Sequence, residues 1–83
     1  MKLLYFASVR ENTGLSEESY ELPNDVGNVA QLTEHMRNRG GGYAAAFENT
    51  SMIRVAVNQV HAQPEQPIAD ADEIAFFPPV TGG

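Results

Sequence analysis

Apolar and polar residues alternate in several short runs along this chain, and such runs, bounded by polar sequence, are typical of strands. The pattern predicts strands at residues 2–9, 18–22, 52–57, 60–61 and 73–77. Both faces of the first run are partly apolar, because Leu4 and Phe6 share the face opposite Leu3 and Tyr5. The first strand is therefore predicted to lie centrally in its sheet or to present one face to a partner.

One amphipathic helix is predicted to begin after Asn28. This residue can cap the helix, and Gln31 follows at the spacing of a capping box. Glycines 40–42 end the pattern and are predicted to form a flexible C-cap and linker. A short helical turn over residues 43–47 is predicted to cover an edge of the core. The apolar positions on one face of the main helix are Val29, Leu32 and Met36.

Turn-forming residues separate these elements. Turns are predicted at residues 10–14, 58–59 and 70–72, where asparagine, aspartate or glycine occurs. A loop bracketed by Pro64 and Pro67 follows the fourth strand, and Ile68 is predicted to fill the core from that loop.

The order of elements is strand, strand, helix, strand, short strand, strand. A hairpin followed by a crossing helix predicts one mixed sheet, with the last strand returning beside the first. This is the α+β architecture called β-grasp, or ubiquitin-like. Residues 1–77 are predicted to form the domain and residues 78–83 an extended tail. The helix covers one face of the sheet, so the other face remains available.

The amino-acid composition argues against several classes of function for this protein. The 83 residues include no cysteine, which excludes disulfides, thiolate metal sites and thiol catalysis, and two scattered histidines do not predict a metal site. The net charge of −6 without a basic patch argues against nucleic acid and suggests either basic protein partners or only a solvated surface. No apolar run is long enough for a membrane span or a signal peptide, so we expect a cytoplasmic protein.

The tail combines two stiff residues with two flexible ones. Pro78 and Pro79 favour extended backbone, and Gly82 and Gly83 can pass through a channel too narrow for a Cβ atom. Six extended residues reach roughly 20 Å. A carboxylate at Gly83 could attack the α-phosphate of ATP and form an acyl-adenylate, from which a sulfur nucleophile displaces AMP. The chain is too small to hold ATP, so another protein must activate it. The alternative is a frayed terminus.

The run from Asp72 to Gly83, which ends Phe-Phe-Pro-Pro-Val-Thr-Gly-Gly, closely resembles the C-terminal signature of the molybdopterin synthase small-subunit family. Residues 6–11 and 55–59 resemble the first and third strands of that family, so the resemblance covers essentially the whole chain in order. Ala71 departs from the glycine that the family usually has before the last strand. This departure indicates a turn without positive φ.

The resemblance implies a sulfur carrier that is not catalytic alone and binds no cofactor. It implies that an E1-like adenylating enzyme activates Gly83 with ATP and that a sulfurtransferase then converts this carboxylate to a thiocarboxylate. The sulfur would pass to cyclic pyranopterin monophosphate in the active site of a large subunit, within a heterotetramer. Gly82 would supply clearance and flexibility in that active site.

Large aromatic residues on the uncovered sheet face suit a partner better than water. The alternative is that loops cover them, and His61 taken alone favours a plain surface histidine over a partner contact. Asp70, Asp72 and Glu73 form an acidic cluster that either steers a basic partner or is a solvated turn. The residues predicted to bind a partner are Phe6, His61, Phe77, Pro78, Pro79, Val80 and Thr81.

Three other functions remain open at this point. A sulfur carrier of thiamine biosynthesis or another pathway would use the same tail chemistry, although its family usually lacks the Phe-Phe-Pro-Pro ending. A ubiquitin-like modifier would join its tail to lysines through an isopeptide bond. A plain interaction module would leave the tail unmodified.

Overall fold

The computed structural model describes residues 1–79, which form a mixed sheet of five strands with helices on one face. The sheet order is β2-β1-β5-β3-β4; β1 and β5 run parallel, and the other neighbours run antiparallel. This is the predicted α+β β-grasp fold. The elements are β1 (Lys2–Tyr5), α1 (Ala7–Thr13), β2 (Glu17–Ser19), α2 (Val29–Arg37), α3 (Gly41–Ala46), a 3₁₀ turn (Thr50–Met52), β3 (Arg54–Val57), β4 (Val60–Ala62) and β5 (Glu73–Phe77).

The hydrophobic core lies between the sheet and the helices. The parallel register of β1 and β5 places Leu3 beside Ile74 and Tyr5 beside Phe76, and all four side chains are buried. Phe47 follows α3 and packs edge-on against Phe76, with ring centroids 4.9 Å apart. The predicted cover over residues 43–47 is therefore confirmed. The predicted apolar face of α2 is also buried, and so is Ile68.

Local turn and cap chemistry follows the sequence closely. The Asn28 side chain accepts a hydrogen bond from the amide of Gln31 at 2.8 Å, and the Gln31 side chain accepts one from Gly27 at 2.7 Å. Asn58 and Gln59 both have positive φ and connect β3 to β4. The turn at Ala71 forms without positive φ, as predicted. These features depend on neighbouring residues alone, so the sequence predicts them.

The prediction of a first strand over residues 2–9 and a turn over 10–14 is wrong beyond Tyr5. The chain enters α1 at Ala7, whose φ is +51°, and leaves it at Gly14, whose φ is +79°. Val9 is buried, as the predicted strand would also have placed it, but it belongs to the helix α1. Three residues of alternating polarity cannot distinguish a strand from a helix, and the packing of α1 on α3 decides it.

The prediction of a flexible glycine linker over residues 40–42 is also wrong, and α2 ends at Arg37, shortly before the glycines that are predicted to end it. Gly40 has a φ of +81°, and Gly41 and Gly42 already belong to α3. A Cβ atom at Gly42 would overlap the carbonyl oxygen of Asn12 in α1. The glycine at this position therefore permits close approach of two helices.

Three further strands have boundaries that differ from the prediction. β2 covers Glu17–Ser19 instead of 18–22, β3 begins at Arg54 because residues 50–52 form the 3₁₀ turn, and β4 extends one residue further, to Ala62. Tyr20 and Leu22 still pack against the core, although they lie beyond the end of β2. The alternation of polarity therefore predicts which side chains face inward better than it predicts where pairing stops.

A polar cluster closes the core beside β2. Glu18 faces the covered side of the sheet, because its register partner is a core residue. Its carboxylate accepts hydrogen bonds from the hydroxyls of Tyr5 and Tyr43, at 2.6 and 2.8 Å, and from Arg39 at 2.7 Å. The Arg39 guanidinium also lies 4.2 Å from the ring centroid of Tyr20 and 3.8 Å from that of Tyr43. The cluster thus ties β2 to the segment between α2 and α3.

Replacing Glu18 by glutamine is expected to lower the free energy of unfolding by about 2 kcal/mol near neutral pH. Burial raises the pKa of the Glu18 carboxyl, but the hydrogen bonds from Arg39 and two tyrosines outweigh burial and hold the pKa below its usual value. The charged carboxyl therefore contributes stability above its unfolded pKa and loses it as the pH falls through the folded value. Urea titrations near neutral pH and in acid measure this.

The matched control for this change is Glu17→Gln. Glu17 is the neighbouring residue of β2 and lies exposed on the opposite sheet face, where it forms a surface ion pair with Lys2 at 3.5 Å. Surface ion pairs of this kind contribute less than about 1 kcal/mol to the free energy of unfolding. Glu17→Gln should therefore be nearly as stable as the wild type both near neutral pH and in acid. Two results would contradict the role assigned to the cluster. One is a loss of stability in Glu18→Gln no larger than that in Glu17→Gln, and the other is a loss in Glu18→Gln that is as large in acid as near neutral pH.

Candidate functional site

The sheet face that the helices leave uncovered carries the candidate site. Strand alternation places Leu4 on this face in β1 and Ala75 beside it in β5. In β3, Ala56 is the register partner of both Ala75 and His61. We call this surface the open face. Its edge carries the polar residues Lys2, Glu17, Ser19 and Glu73, and its other residues are Leu4, Phe6, Arg54, Ala56, His61, Ala75 and Phe77.

Three of the predicted partner-binding residues lie at one end of the open face. The ring of His61 lies edge-on to that of Phe77, with centroids 6.4 Å apart. Phe6 follows the register pair of Tyr5 and Phe76, which brings it level with Phe77. Its side chain is 49% exposed, which makes it one of the large apolar groups that the fold leaves in water. We call Phe6, His61 and Phe77 the aromatic end.

The backbone of Phe6 explains why its side chain reaches the open face. The residue keeps extended dihedral angles, with φ −125° and ψ 152°, and its amide donates to the carbonyl of Phe76 at 3.1 Å. Ala7 then adopts positive φ and turns the chain into α1. Phe6 therefore continues the alternation of β1 for one residue beyond the strand.

The tail begins at the aromatic end. β5 runs antiparallel to β3, and its last residue, Phe77, is the register partner of Arg54. Pro78 and Pro79 follow and are partly buried. The predicted site residues Val80, Thr81, Gly82 and Gly83 lie outside the described residues. A partner that covers the aromatic end would also hold the root of the tail.

The surface of the open face is shallow in the middle. Ala56 and Ala75 are register partners there, and their short side chains leave a low area between Leu4 and the aromatic end. A groove of about 680 Å³ lies elsewhere, between α2 and the β3–β4 edge, and reaches the open face at Arg54 and His61. The shallow apolar surface suits contact with a protein better than enclosure of a small molecule.

Arg54 is a site residue that the sequence reasoning missed. Alternation in β3 already places it on the same face as Ala56, opposite the core residue Val55. The missing information was the pairing of β3 with β5, which sets Arg54 directly beside Phe77. Pairing between strands so far apart in the chain cannot be derived from a local pattern.

The acidic cluster predicted after residue 69 lies at the opposite end of β5, and two of its members hold turns together. Asp70 accepts a hydrogen bond from the amide of Leu22 at 2.8 Å, and this bond holds the pKa of its carboxyl below the usual value. Asp72 accepts hydrogen bonds from Asn58 and from the amide of Ala69, which lower its pKa likewise. These contacts favour the interpretation of Asp70 and Asp72 as turn residues.

The two histidines have separate surroundings. His35 Nε2 lies 2.8 Å from the hydroxyl of Tyr20, whereas His61 contacts Phe77.

Within residues 1–79, no three side chains of histidine, aspartate or glutamate come together as a metal site. None of the helices in this same range is long and apolar enough to cross a membrane.

The chain resembles known proteins in both sequence and fold. The model of the ThiS family matches residues 3–83. The molybdopterin synthase sulfur carrier subunit of Escherichia coli (strain K12) is 41% identical over 83 residues, which cover 100% of this chain and 99% of that protein. This relative confirms the resemblance carried by the C-terminal residues.

Solved structures agree with the sequence comparison. The putative molybdopterin converting factor, subunit 1, from Pyrococcus furiosus has a TM-score of 0.75 and 28% identity, with 95% of each chain covered. SAMP1 from Haloferax volcanii has a TM-score of 0.72 and 26% identity, with 100% of this chain and 98% of that chain covered. Both likenesses support the ubiquitin-like β-grasp fold. Because the family model spans residues 3–83 and the identities extend over whole chains, this protein belongs to the ThiS family.

Proposed function

We propose that this protein is the sulfur-carrier small subunit of a molybdopterin synthase, with Gly83 as the residue that carries the sulfur. The full-length match to the Escherichia coli sulfur carrier subunit, 41% identical, carries the proposal. The position of the tail root beside an exposed aromatic end supports it, because a docked partner can then receive the tail.

The chemistry proposed for Gly83 has two activating steps and one transfer. A carboxylate oxygen attacks the α-phosphorus of ATP in an E1-like adenylating enzyme, pyrophosphate leaves, and an acyl-adenylate forms. Sulfur at the oxidation level of sulfide, delivered by a sulfurtransferase together with a thiol reductant, then attacks the acyl carbon, so that AMP leaves and a thiocarboxylate remains. In the active site of the large subunit the thiocarboxylate sulfur attacks cyclic pyranopterin monophosphate, and water then cleaves the acyl–sulfur bond, which leaves the sulfur on the pterin and returns the Gly83 carboxylate. ATP is used by the adenylating partner, and this chain holds no cofactor.

The division of labour follows from the architecture. The domain supplies a docking surface, Gly82 supplies clearance, and the acids, bases and phosphate-binding groups belong to the large subunit. Pro78 and Pro79 restrict the root of the tail, so less entropy is lost when a partner orders it. We place the protein in the cytoplasm, in a heterotetramer of two small and two large subunits.

Intact-mass spectrometry tests the proposal directly. The protein is incubated with ATP, an adenylating enzyme and a sulfur source, and we expect a mass increase equal to the difference between one sulfur and one oxygen atom. The converted protein should then transform the pterin precursor when the large subunit is added. An unchanged mass, in a reaction that converts a known carrier, would overturn the proposal.

Two related functions are distinguished by the same experiment. A sulfur carrier of thiamine biosynthesis or another pathway would gain sulfur but would not support conversion of the pterin. A ubiquitin-like modifier, which the likeness to SAMP1, the small archaeal modifier protein 1, favours, would give conjugates of higher mass. Lys2 is the single lysine of this chain, so Lys2→Arg would remove every conjugate formed on a lysine of a second copy.

Truncation of Phe77 to alanine is expected to weaken binding of the large subunit by more than about 1 kcal/mol. Its ring is partly exposed between His61 and the root of the tail, where a partner can bury it fully. Calorimetric titration of the large subunit with each variant measures the dissociation constant.

The control for this truncation is Val60→Ala. Val60 is 68% exposed, but its register partner is the core residue Val57, so it does not belong to the open face. Its removal should leave the dissociation constant unchanged. Equal affinity for the wild type and Phe77→Ala would move the docking surface away from the aromatic end.

A further inference from the structure

Charge is unevenly distributed along the open face. Arg54 is the register partner of Phe77, and the imidazole of His61 packs against the same ring. At the other end of the same two strands, Asn58 binds both Asp72 and the amide of Glu73. Lys2 also lies at that far end, as the register partner of Glu73, but its ammonium pairs with Glu17. In a chain with a net charge of −6, a positive group therefore stands at the root of the tail, and the far end carries more carboxylates than cations.

The Arg54 side chain is exposed and partly fixed. Its Nη1 donates a hydrogen bond to the carbonyl of Ser51 at 3.2 Å, which holds the guanidinium at the border of the open face. Lys2, Arg37 and Arg39 each pair with a carboxylate in the described part of the chain, whereas Arg10 and Arg54 have no such partner there. Arg10 belongs to α1, so Arg54 is the one of these two that a strand of the open face carries. The remaining N–H groups of its guanidinium can therefore receive a planar acidic group.

We propose that Arg54 is the charged anchor of the open face and pairs with a carboxylate on the partner, at the rim of the channel that receives the tail. This inference rests on the proposed function, because it describes the surface of the large subunit that meets the aromatic end. The partner surface would combine an apolar recess for Phe77 with an aspartate or glutamate within reach of Arg54. A guanidinium can bind such a carboxylate through two parallel hydrogen bonds.

The separation of charges would also fix the direction of docking. A partner turned end for end would bring its carboxylate against Asp72 and Glu73, and like charges in contact are strongly unfavourable. The tail root would then point away from the channel. Arg54 thus favours the productive orientation over the reversed one. Apolar contact at Phe77 alone does not select between these orientations as strongly.

The test is binding of four charge variants to the large subunit at about 50 and 500 mM salt, because screening separates electrostatic from apolar contributions. Arg54→Gln is expected to weaken binding about fivefold and Arg54→Glu about fiftyfold at the lower salt, with smaller ratios at the higher salt. Arg37→Gln and Arg37→Glu remove or reverse the same charge on α2, which lies on the covered side of the sheet. These controls should stay within about twofold of the wild type.

The outcomes separate this inference from the proposed function. If the wild type binds the large subunit but Arg54→Glu binds equally well or more tightly, the anchor is wrong and the proposed function stands. The same conclusion follows if Arg37→Glu weakens binding as much as Arg54→Glu. If the wild type neither binds nor gains sulfur, the proposed function itself fails. Thermal melting of each variant establishes folding, and Arg54→Gln decides the question if Arg54→Glu does not fold.

Discussion

Removal of Gly83 is expected to abolish sulfur transfer and to leave the fold unchanged. The truncated chain ends at Gly82, which withdraws the reacting carboxylate by roughly 3.5 Å. Reacting atoms must be aligned much more closely than this, so a shift of one residue is enough to prevent both adenylation and transfer. The buried core lies between Leu3 and Phe76, so the domain does not depend on Gly83.

Three measurements check this prediction. Intact-mass spectrometry should detect no thiocarboxylate on the truncated protein, and the assembled synthase should convert no pterin. The melting temperature should match that of the wild type. A variant of full length, Val60→Ala, whose substitution lies outside the open face, serves as the control and should remain active. Pterin conversion by the truncated protein would mean that the reacting group is elsewhere in the chain.

Elements whose determinants are local agree best with the sequence. β5 forms over Glu73–Phe77, as the alternation predicts, because its polar flank and Pro78 set both ends. α2 begins after Asn28 because the cap needs only Gln31, three residues later. In both cases the residues that decide the structure lie within a few positions of the element itself.

Elements determined by distant contacts could not be predicted in the same way. α1 and α3 have six or seven residues each and little periodicity, so neither has a strong helical pattern of its own. Their mutual packing makes both helices favourable, and the sequence pattern contains no sign that these two segments meet. The same reasoning applies to Arg54, whose place in the site depends on the pairing of β3 with β5.

Substitution of Gly42 by alanine is expected to lower the free energy of unfolding by about 3 kcal/mol. Alanine normally favours a helix over glycine, so propensity alone predicts a gain of up to about 1 kcal/mol. The added Cβ, however, would overlap the backbone oxygen of Asn12, which cannot rotate away as a flexible side chain can. The helices must therefore separate, and the covering of Phe47 and Val9 loosens with them. Denaturant titration measures the difference in stability.

Gly27→Ala is the matched control, because it adds the same atom where nothing prevents it. The nearest atom to a Cβ at Gly27 is Oε1 of Gln31 at 3.6 Å, an ordinary contact with a flexible side chain, and its φ is not positive. We expect this variant to equal or slightly exceed the wild type in stability, because alanine restricts the unfolded chain. If Gly42→Ala were as stable as Gly27→Ala, the conclusion that α1 and α3 lie too close together for a Cβ atom at position 42 would be wrong. The turn at Ala7, which sets Phe6 on the open face, would then lack the helix packing that supports it.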